Sequence, residues 1–472
     1  MTMVDASLGD VPFHLSELFF SVTDSRGFIR SANTVFSTVS GYSPEEWQGA
    51  AHNLVRHEDM PRIVFRVLWD GLKAGRPVAA YVKNRTKSGQ HYWVFAVAFP
   101  VGDELFSVRL KPSSALLPVV RDLYRSLLVC ERSIESDGGR SAAMDASEQL
   151  LLEHLEQLGF PDYEQFMWRA LAAEVTSRTD ELGSRVGAIR WPNDPQLRQA
   201  HSVCNAGLGQ LGGLGGRLET YEQLAREYRD ATAAFGELAD EVSMFALNAR
   251  LNANRSGGRS AVLASIANLM RNAAHDVGTE VERLTSLLEV ATAHVRQLAF
   301  SIARSSLALE MIELFLVEID DEDASARAHL DARALIASTA QELRAAAALL
   351  RGLDGRLTAL QLPLRRLLGH LRSLRILRIR AGVDSAGDDA AEQFSIIVEQ
   401  VEHHLVQGLE RLEVLRRHTA EARDATAGVA ASQLDRHAAA LAAAQLHEPN
   451  AHDLPIEAPV DDVVDDEADA FV

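Results

Sequence analysis

Short apolar runs punctuated by turn residues fill the first hundred positions, and a helical period takes over afterwards. Phe19–Asp24 reads as a strand, Ser25-Arg26-Gly27 as a turn and Phe28–Asn33 as the returning strand, so the pair predicts a hairpin. Asn33 is placed to cap a short helix, and Ser43-Pro44-Glu45-Glu46 is a helix start with a capping Ser, a Pro at the first position and acids in the first turn. Val78–Lys83 and Tyr92–Phe99 are further strands around a turn at Lys87-Ser88-Gly89. From about Pro118 the spacing predicts helices, with breaks at Ser136–Gly139, at Trp191–Pro195 and near Gly382–Asp389. A glycine-dense patch, Gly207–Gly216, is expected to interrupt one helical run, as a close helix approach or a joint.

Composition changes this picture in three ways. A chain of 472 residues exceeds one ordinary domain. Aromatic residues concentrate before about Tyr124, with Ala, Leu, Arg and Glu dominating afterwards, and that shift marks the main boundary. Lys+Arg 47 against Asp+Glu 66 gives a net charge of -19, which argues against nucleic acid as a partner and for self-repulsion and repulsion from anionic membranes. Two cysteines, Cys130 and Cys204, have neither metal-ligand nor disulfide spacing and fit a reducing cytosol. No apolar run approaches the ~20 residues a membrane span needs, and Met1–Asp10 lacks the pattern of a secretory signal. The expected location is cytoplasmic.

The densest chemistry lies in His52-Asn53-Leu54-Val55-Arg56-His57-Glu58-Asp59-Met60-Pro61, with two imidazoles, a guanidinium and two carboxylates. Together with Ser40-Gly41-Tyr42, Val82-Lys83-Asn84-Arg85 and Lys87-Ser88-Gly89-Gln90-His91-Tyr92-Trp93-Val94, it resembles the PAS domain of bacterial aerotaxis receptors. The resemblance implies a five-stranded antiparallel sheet with helices closing one face over a cofactor, which in those receptors is FAD. It also implies FAD-linked roles for Asn33, Arg56, His57 and Asp59. Arg and His can donate to the polar edge and pyrophosphate of a flavin, and reduction of the ring rearranges the surrounding hydrogen bonds. The sequence departs from the family where Val78 follows Gly75-Arg76-Pro77 in place of a tryptophan, and in lacking the membrane anchor. An empty pocket and a haem, ligated through His52, His57 or His91, are the alternatives.

Glu241–Gly258 resembles the hairpin tip of a chemoreceptor signalling domain at Ala246-Leu247-Asn248-Ala249 and Arg255-Ser256-Gly257. That resemblance implies two long antiparallel helices, a homodimer through a four-helix bundle, and the chemotaxis histidine kinase and its coupling protein as partners. The tip departs from the family at Glu241-Val242-Ser243, Asn252 and Asn254. Leu377–Gly387 followed by Phe394–Val401 repeats the same plan and suggests a second, diverged hairpin, against a chance likeness of helical turns. Leu364–Arg380 is a basic amphipathic helix whose arginines are read as solvated or paired with acids such as Glu399, Glu402 and Glu410. His275-Asp276-Val277-Gly278-Thr279 resembles the phospho-acceptor box of histidine kinases, without any glycine-rich ATP lobe downstream.

These features predict an α+β PAS sensor at 13–112 after a disordered 1–12, then an all-α extended bundle or coiled coil. Its parts are a helical region at 113–325 with the tip near 241–258, a second at 326–447, and a disordered acidic tail at 448–472. The expected function is redox or oxygen sensing through a bound flavin, relayed to a chemoreceptor-like output, with no catalysis. A phosphotransfer protein using His275 and a ligand-free PAS scaffold are the competing readings.

Overall fold

The computed structural model describes residues 10–183, 191–253, 260–320, 326–384, 391–426, 429–444 and 446. The N-terminal sheet has five antiparallel strands, β1 Phe19–Asp24, β2 Ile29–Ala32, β3 Val78–Arg85, β4 His91–Val101 and β5 Glu104–Leu110, in the order β2-β1-β5-β4-β3. Between β2 and β3 lie α1 Thr34–Ser40, α2 Pro44–Trp47, a 3-10 turn His52–Val55 and α3 Arg62–Lys73. The local signals act as expected. Asn33 Oδ1 accepts from the Phe36 amide at the start of α1, and Ser43 and Glu46 form a capping box on α2.

Strand register divides the sheet into two faces. Ser21, Thr23, Ala80, Val82, Asn84, Tyr92, Ala96, Ala98, Ser107 and Arg109 share the inner face, toward α1–α3. The outer face carries Phe20, Val22, Tyr81, Phe95, Val97, Phe99, Phe106, Val108 and Leu110, all buried. Helices cover it: α4 Leu116–Gln157, α5 Tyr163–Leu182 and parts of α7 Ser260–Glu318 and α8 Ala326–Asp384. Phe20 meets Phe315 edge-on at 4.8 Å, Tyr124 OH donates to the Tyr81 carbonyl, and the Arg304 guanidinium lies 5.1 Å from the Phe99 ring.

The remaining helices are α6 Pro195–Ala253, α9 Ala391–Thr426 and α10 Val429–Ala443. The chain forms two compact units, one of Met1–Gly215, Arg296–Ala346 and Gln433–Val472, the other of Gly216–Val295 and Ala347–Ser432. One expected break holds and one needs correction. At Ser136–Gly139 the helical run does break: Gly139, with φ 77° and ψ 173°, leaves helical geometry, and the two arms of α4 fold back so that Ser147 Oγ donates to Glu131 Oε1 at 3.1 Å. Gly207–Gly216 does not interrupt α6. Close approach is the physical reason at Gly207, where a Cβ would stand 2.3 Å from His437 Nε2 and 2.8 Å from Leu309 Cδ1.

In the second unit, α6 and α9 run antiparallel. Tyr221 OH donates to the Ala422 carbonyl, Tyr228 OH meets Thr419 Oγ1 at 2.7 Å, and Glu241 meets His404 at 2.8 Å. α7 and α8 pair likewise through Glu280 with Arg366 and His294 with the Leu349 carbonyl. Leu364, Leu367, Leu371 and Leu374 are buried, and Arg365, Arg366, Arg372 and Arg375 point outward, so the basic helix uses its apolar face as core. The tip residues 254–258, the turn at 385–390 and the tail 447–472 lie outside the described residues, as do the side chains of Asn252 and Phe394–Val401. Among the described residues no helix is long and apolar enough to cross a membrane.

Candidate functional site

β5 reads Glu-Leu-Phe-Ser-Val-Arg-Leu, and its alternation sends Phe106, Val108 and Leu110 outward and Ser107 and Arg109 inward. Arg109 therefore enters the inner face from the central strand of the sheet, 2% exposed. Its Nη1 donates to Ser21 Oγ at 3.0 Å and its Nη2 lies 2.7 Å from His52 Nε2. His52 is fully buried on the 3-10 turn, with Phe36 edge-on at 5.8 Å. Burial first and the adjacent guanidinium second hold its pKa well below the usual imidazole range, so the ring is neutral and Nε2 accepts from Arg109. Burial lowers the Arg109 pKa to about 10, which leaves it a cation at neutral pH.

No carboxylate among the described residues pairs with this cation, and its Nε–H, Thr23 Oγ1 and Ser107 Oγ are buried without a hydrogen-bond partner. A buried charge without counter-charge costs several kcal/mol. With Asn84 Oδ1 and Tyr92 OH, five polar atoms on this sheet face are buried without a partner, and around an uncompensated cation they suit a planar ligand with an acceptor-rich or negatively charged edge.

The residues implied by resemblance lie elsewhere around the same domain. Asn33 is buried and structural. Its Oδ1 accepts from the Phe20 and Phe36 amides, and its Nδ2 donates to the Leu18 carbonyl. Arg56 and His57 are partly buried beside β3, where the Arg56 backbone bridges Asn84 and its guanidinium lies 4.1 Å from the Phe65 ring centre. His57 Nδ1 accepts from the Asp59 amide, and the His57 ring stands edge-on to His91 at 5.7 Å. Burial and the Lys83 charge lower the His57 pKa. Partial burial raises that of Asp59, but the 2.7 Å ion pair with Lys83 outweighs it and leaves it below the usual range. The structure thus groups His57, Asp59, Lys83 and His91 in one cluster and sets Asn33 apart as a cap.

Sequence reasoning missed Arg109, Ser21, Thr23 and Ser107. The available signal was the pair Ser107 and Arg109 at alternate positions in an otherwise apolar strand. The three histidines considered for haem ligation each direct a ring nitrogen at protein. His52 Nε2 meets Arg109, His57 Nδ1 meets the Asp59 amide, and His91 Nε2 meets Asp10 at 2.9 Å. His275 is exposed on α7, and its neighbour Asp276 faces His370 at 3.8 Å. No group of three or more His, Cys, Asp or Glu among the described residues is placed to hold a metal ion.

The five-stranded antiparallel sheet with short helices between β2 and β3 is that of a PAS domain, and residues 29–109 match the family described as PAS fold. The aerotaxis receptor of Escherichia coli (strain K12) is 43% identical over 112 residues. That match takes in 23% of this chain and 22% of the receptor, so the likeness is confined to about a fifth of each protein.

Proposed function

We propose that the chain is a signal transducer whose PAS domain holds FAD on the inner sheet face and passes the flavin's redox state to the long helices. The observation that carries this reading is Arg109, a buried cation whose Nε–H lacks a partner and which faces no carboxylate among the described residues. Ser21, Thr23, Ser107 and Arg109 would hold the ring. Arg56 and His57, partly exposed beside β3, suit the phosphate side. The flavin supplies a ring whose hydrogen-bonding pattern and charge change on reduction. A flavin is favoured over haem because His52 Nε2 is committed to Arg109.

The protein's own part is relay. β5 carries Arg109 and runs directly into Ser113 and Ser114. The backbone amides of both donate to Glu174 Oε2 on α5, and Ser114 Oγ donates to Oε1. A shift of β5 therefore reaches α5 through a buried, hydrogen-bonded joint. The helices hold two packings of similar energy, and the sensor biases one of them. The segment Ala246–Ala249 near the end of α6 supports a chemotaxis kinase and its coupling protein as the receivers. No step asks this chain for catalysis.

The test is the chromophore of the purified full chain. A yellow protein that releases FAD on denaturation is expected. A red haem protein, or a colourless chain that takes up no added FAD, overturns the reading.

A further inference from the structure

We infer that Arg109 is a specificity-determining residue that reads the acceptor edge of the flavin ring, and that it does not read the pyrophosphate; the inference rests on the flavin reading above. Its position argues for the ring. Arg109 springs from the central strand, is 2% exposed, and is aimed by two partners, Ser21 Oγ and His52 Nε2. The cross-strand neighbours Ala96 and Ala98 on β4 are small, so neither crowds the guanidinium.

Charge argues the same way. A pyrophosphate brings two strongly hydrated negative charges, and one guanidinium would leave an uncompensated anion in a buried place. The dioxopyrimidine edge of a flavin instead alternates carbonyl and ring-nitrogen acceptors with a single N–H. The unpartnered Nε–H of Arg109 matches an acceptor on that edge, and the Thr23 and Ser107 hydroxyls can each donate or accept beside it. Neutral His52 adds no second charge and holds the guanidinium in the plane where its fork is useful. The partly exposed Arg56 and His57 beside β3 are left for the phosphates.

The experiment titrates the flavin-free full chain with riboflavin, FMN and FAD, in the wild type and in Arg109→Met and Ser21→Ala, with far-UV circular dichroism as the check on folding. Arg109→Met is expected to weaken all three ligands by the same factor, about tenfold or more, because a charge-assisted bond to the shared ring is lost. Ser21→Ala, which removes both the acceptor that aims the guanidinium and a hydroxyl placed beside the ring, gives a loss that is again equal across the series, and it keeps the test decisive if Arg109→Met does not fold. A loss for FAD and FMN with riboflavin unchanged assigns Arg109 to phosphate and overturns the inference. Unchanged affinity for all three overturns it as well. A wild-type chain that binds none of the three removes the flavin reading itself and this inference with it, an outcome distinct from the other two.

Discussion

Glu174 on α5 accepts a 2.6 Å hydrogen bond from Tyr81 OH on the outer face of β3. The same carboxylate takes the Ser113 and Ser114 amides and the Ser114 hydroxyl, and it is fully buried. It ties a sheet strand, the segment leaving β5 and a helix at one point. Glu174→Ala strands four donors and is expected to cost about 3 kcal/mol or more, read by chemical denaturation. Glu174→Gln keeps one acceptor but turns an N–H₂ toward donors. It should bind flavin normally while uncoupling flavin reduction from changes in helix protection, read by hydrogen exchange.

Arg178 and Glu310 form a buried ion pair at 2.7 Å, and Arg178 Nε also donates to the Leu15 carbonyl. Burial raises the Glu310 pKa, with Arg178 pulling against it. Arg178→Met should destabilise the chain by about 3–5 kcal/mol, since it leaves an unpaired buried carboxylate. Adding Glu310→Leu should restore most of the loss. A double variant as unstable as the single one would show that the ion pair is not the source.

Glu313 has its pKa raised to about 7, first by burial and then by the like charge of Glu310. His201 Nδ1 stands 3.9 Å away, and burial lowers its pKa and keeps the ring neutral. Between the ordinary carboxyl value and about 7 the folded chain binds more protons at this group than the unfolded chain. Stability therefore falls as pH rises through that window, by about 2–3 kcal/mol at its upper end. Glu313→Gln should flatten the fall and make the chain more stable than wild type at pH ~8, measured as denaturation midpoints against pH.

Gly207 and Gly212 sit on the same helix with opposite expectations. A Cβ at Gly207 would collide with His437 and Leu309, while at Gly212 it would meet nothing within 4 Å. Gly207→Ala should cost about 1–3 kcal/mol by forced displacement, and Gly212→Ala should add about 1 kcal/mol of helix propensity. Thermal melts of the two variants against wild type check both signs.

The sheet was legible because its strands carry local signals: turn residues at Ser25–Gly27 and Lys87–Gly89, caps at Asn33 and Ser43, and short apolar runs between them. The candidate site was legible only at its margin. Arg56, His57 and Asp59 announce themselves as a polar cluster in one loop. Arg109 meets Ser21 and His52 only after three separate segments pair and fold, and such a meeting leaves no local pattern. The glycine patch misled for a related reason. Propensity marks each glycine as a weakness, and only the partner helix bearing His437 shows why one of them is needed. The second hairpin suggested by Leu377–Val401 falls between α8 and α9, with its turn and the side chains of Phe394–Val401 outside the described residues.

The second unit gives the last expectation. Its seams are closed within one chain: Tyr228 to Thr419 and Glu241 to His404 between α6 and α9, and Glu280 to Arg366 between α7 and α8. At Gly408 a Cβ would stand 2.9 Å from Phe235 Cε1 and 3.5 Å from Leu371 Cδ1, so three helices converge there. A bundle whose four helices come from one polypeptide needs no second copy to bury its core. If each chain closes its own bundle, unfolding is first order in protein and the melting temperature should not move with concentration, whereas a bundle shared between copies would melt higher as concentration rises. Gly408→Leu should lower the melting temperature of the full chain by filling the convergence point, without changing the oligomeric mass. A melting temperature that climbs with protein concentration, or a Gly408→Leu chain that changes from dimer to monomer, would show that the helices close against a partner instead.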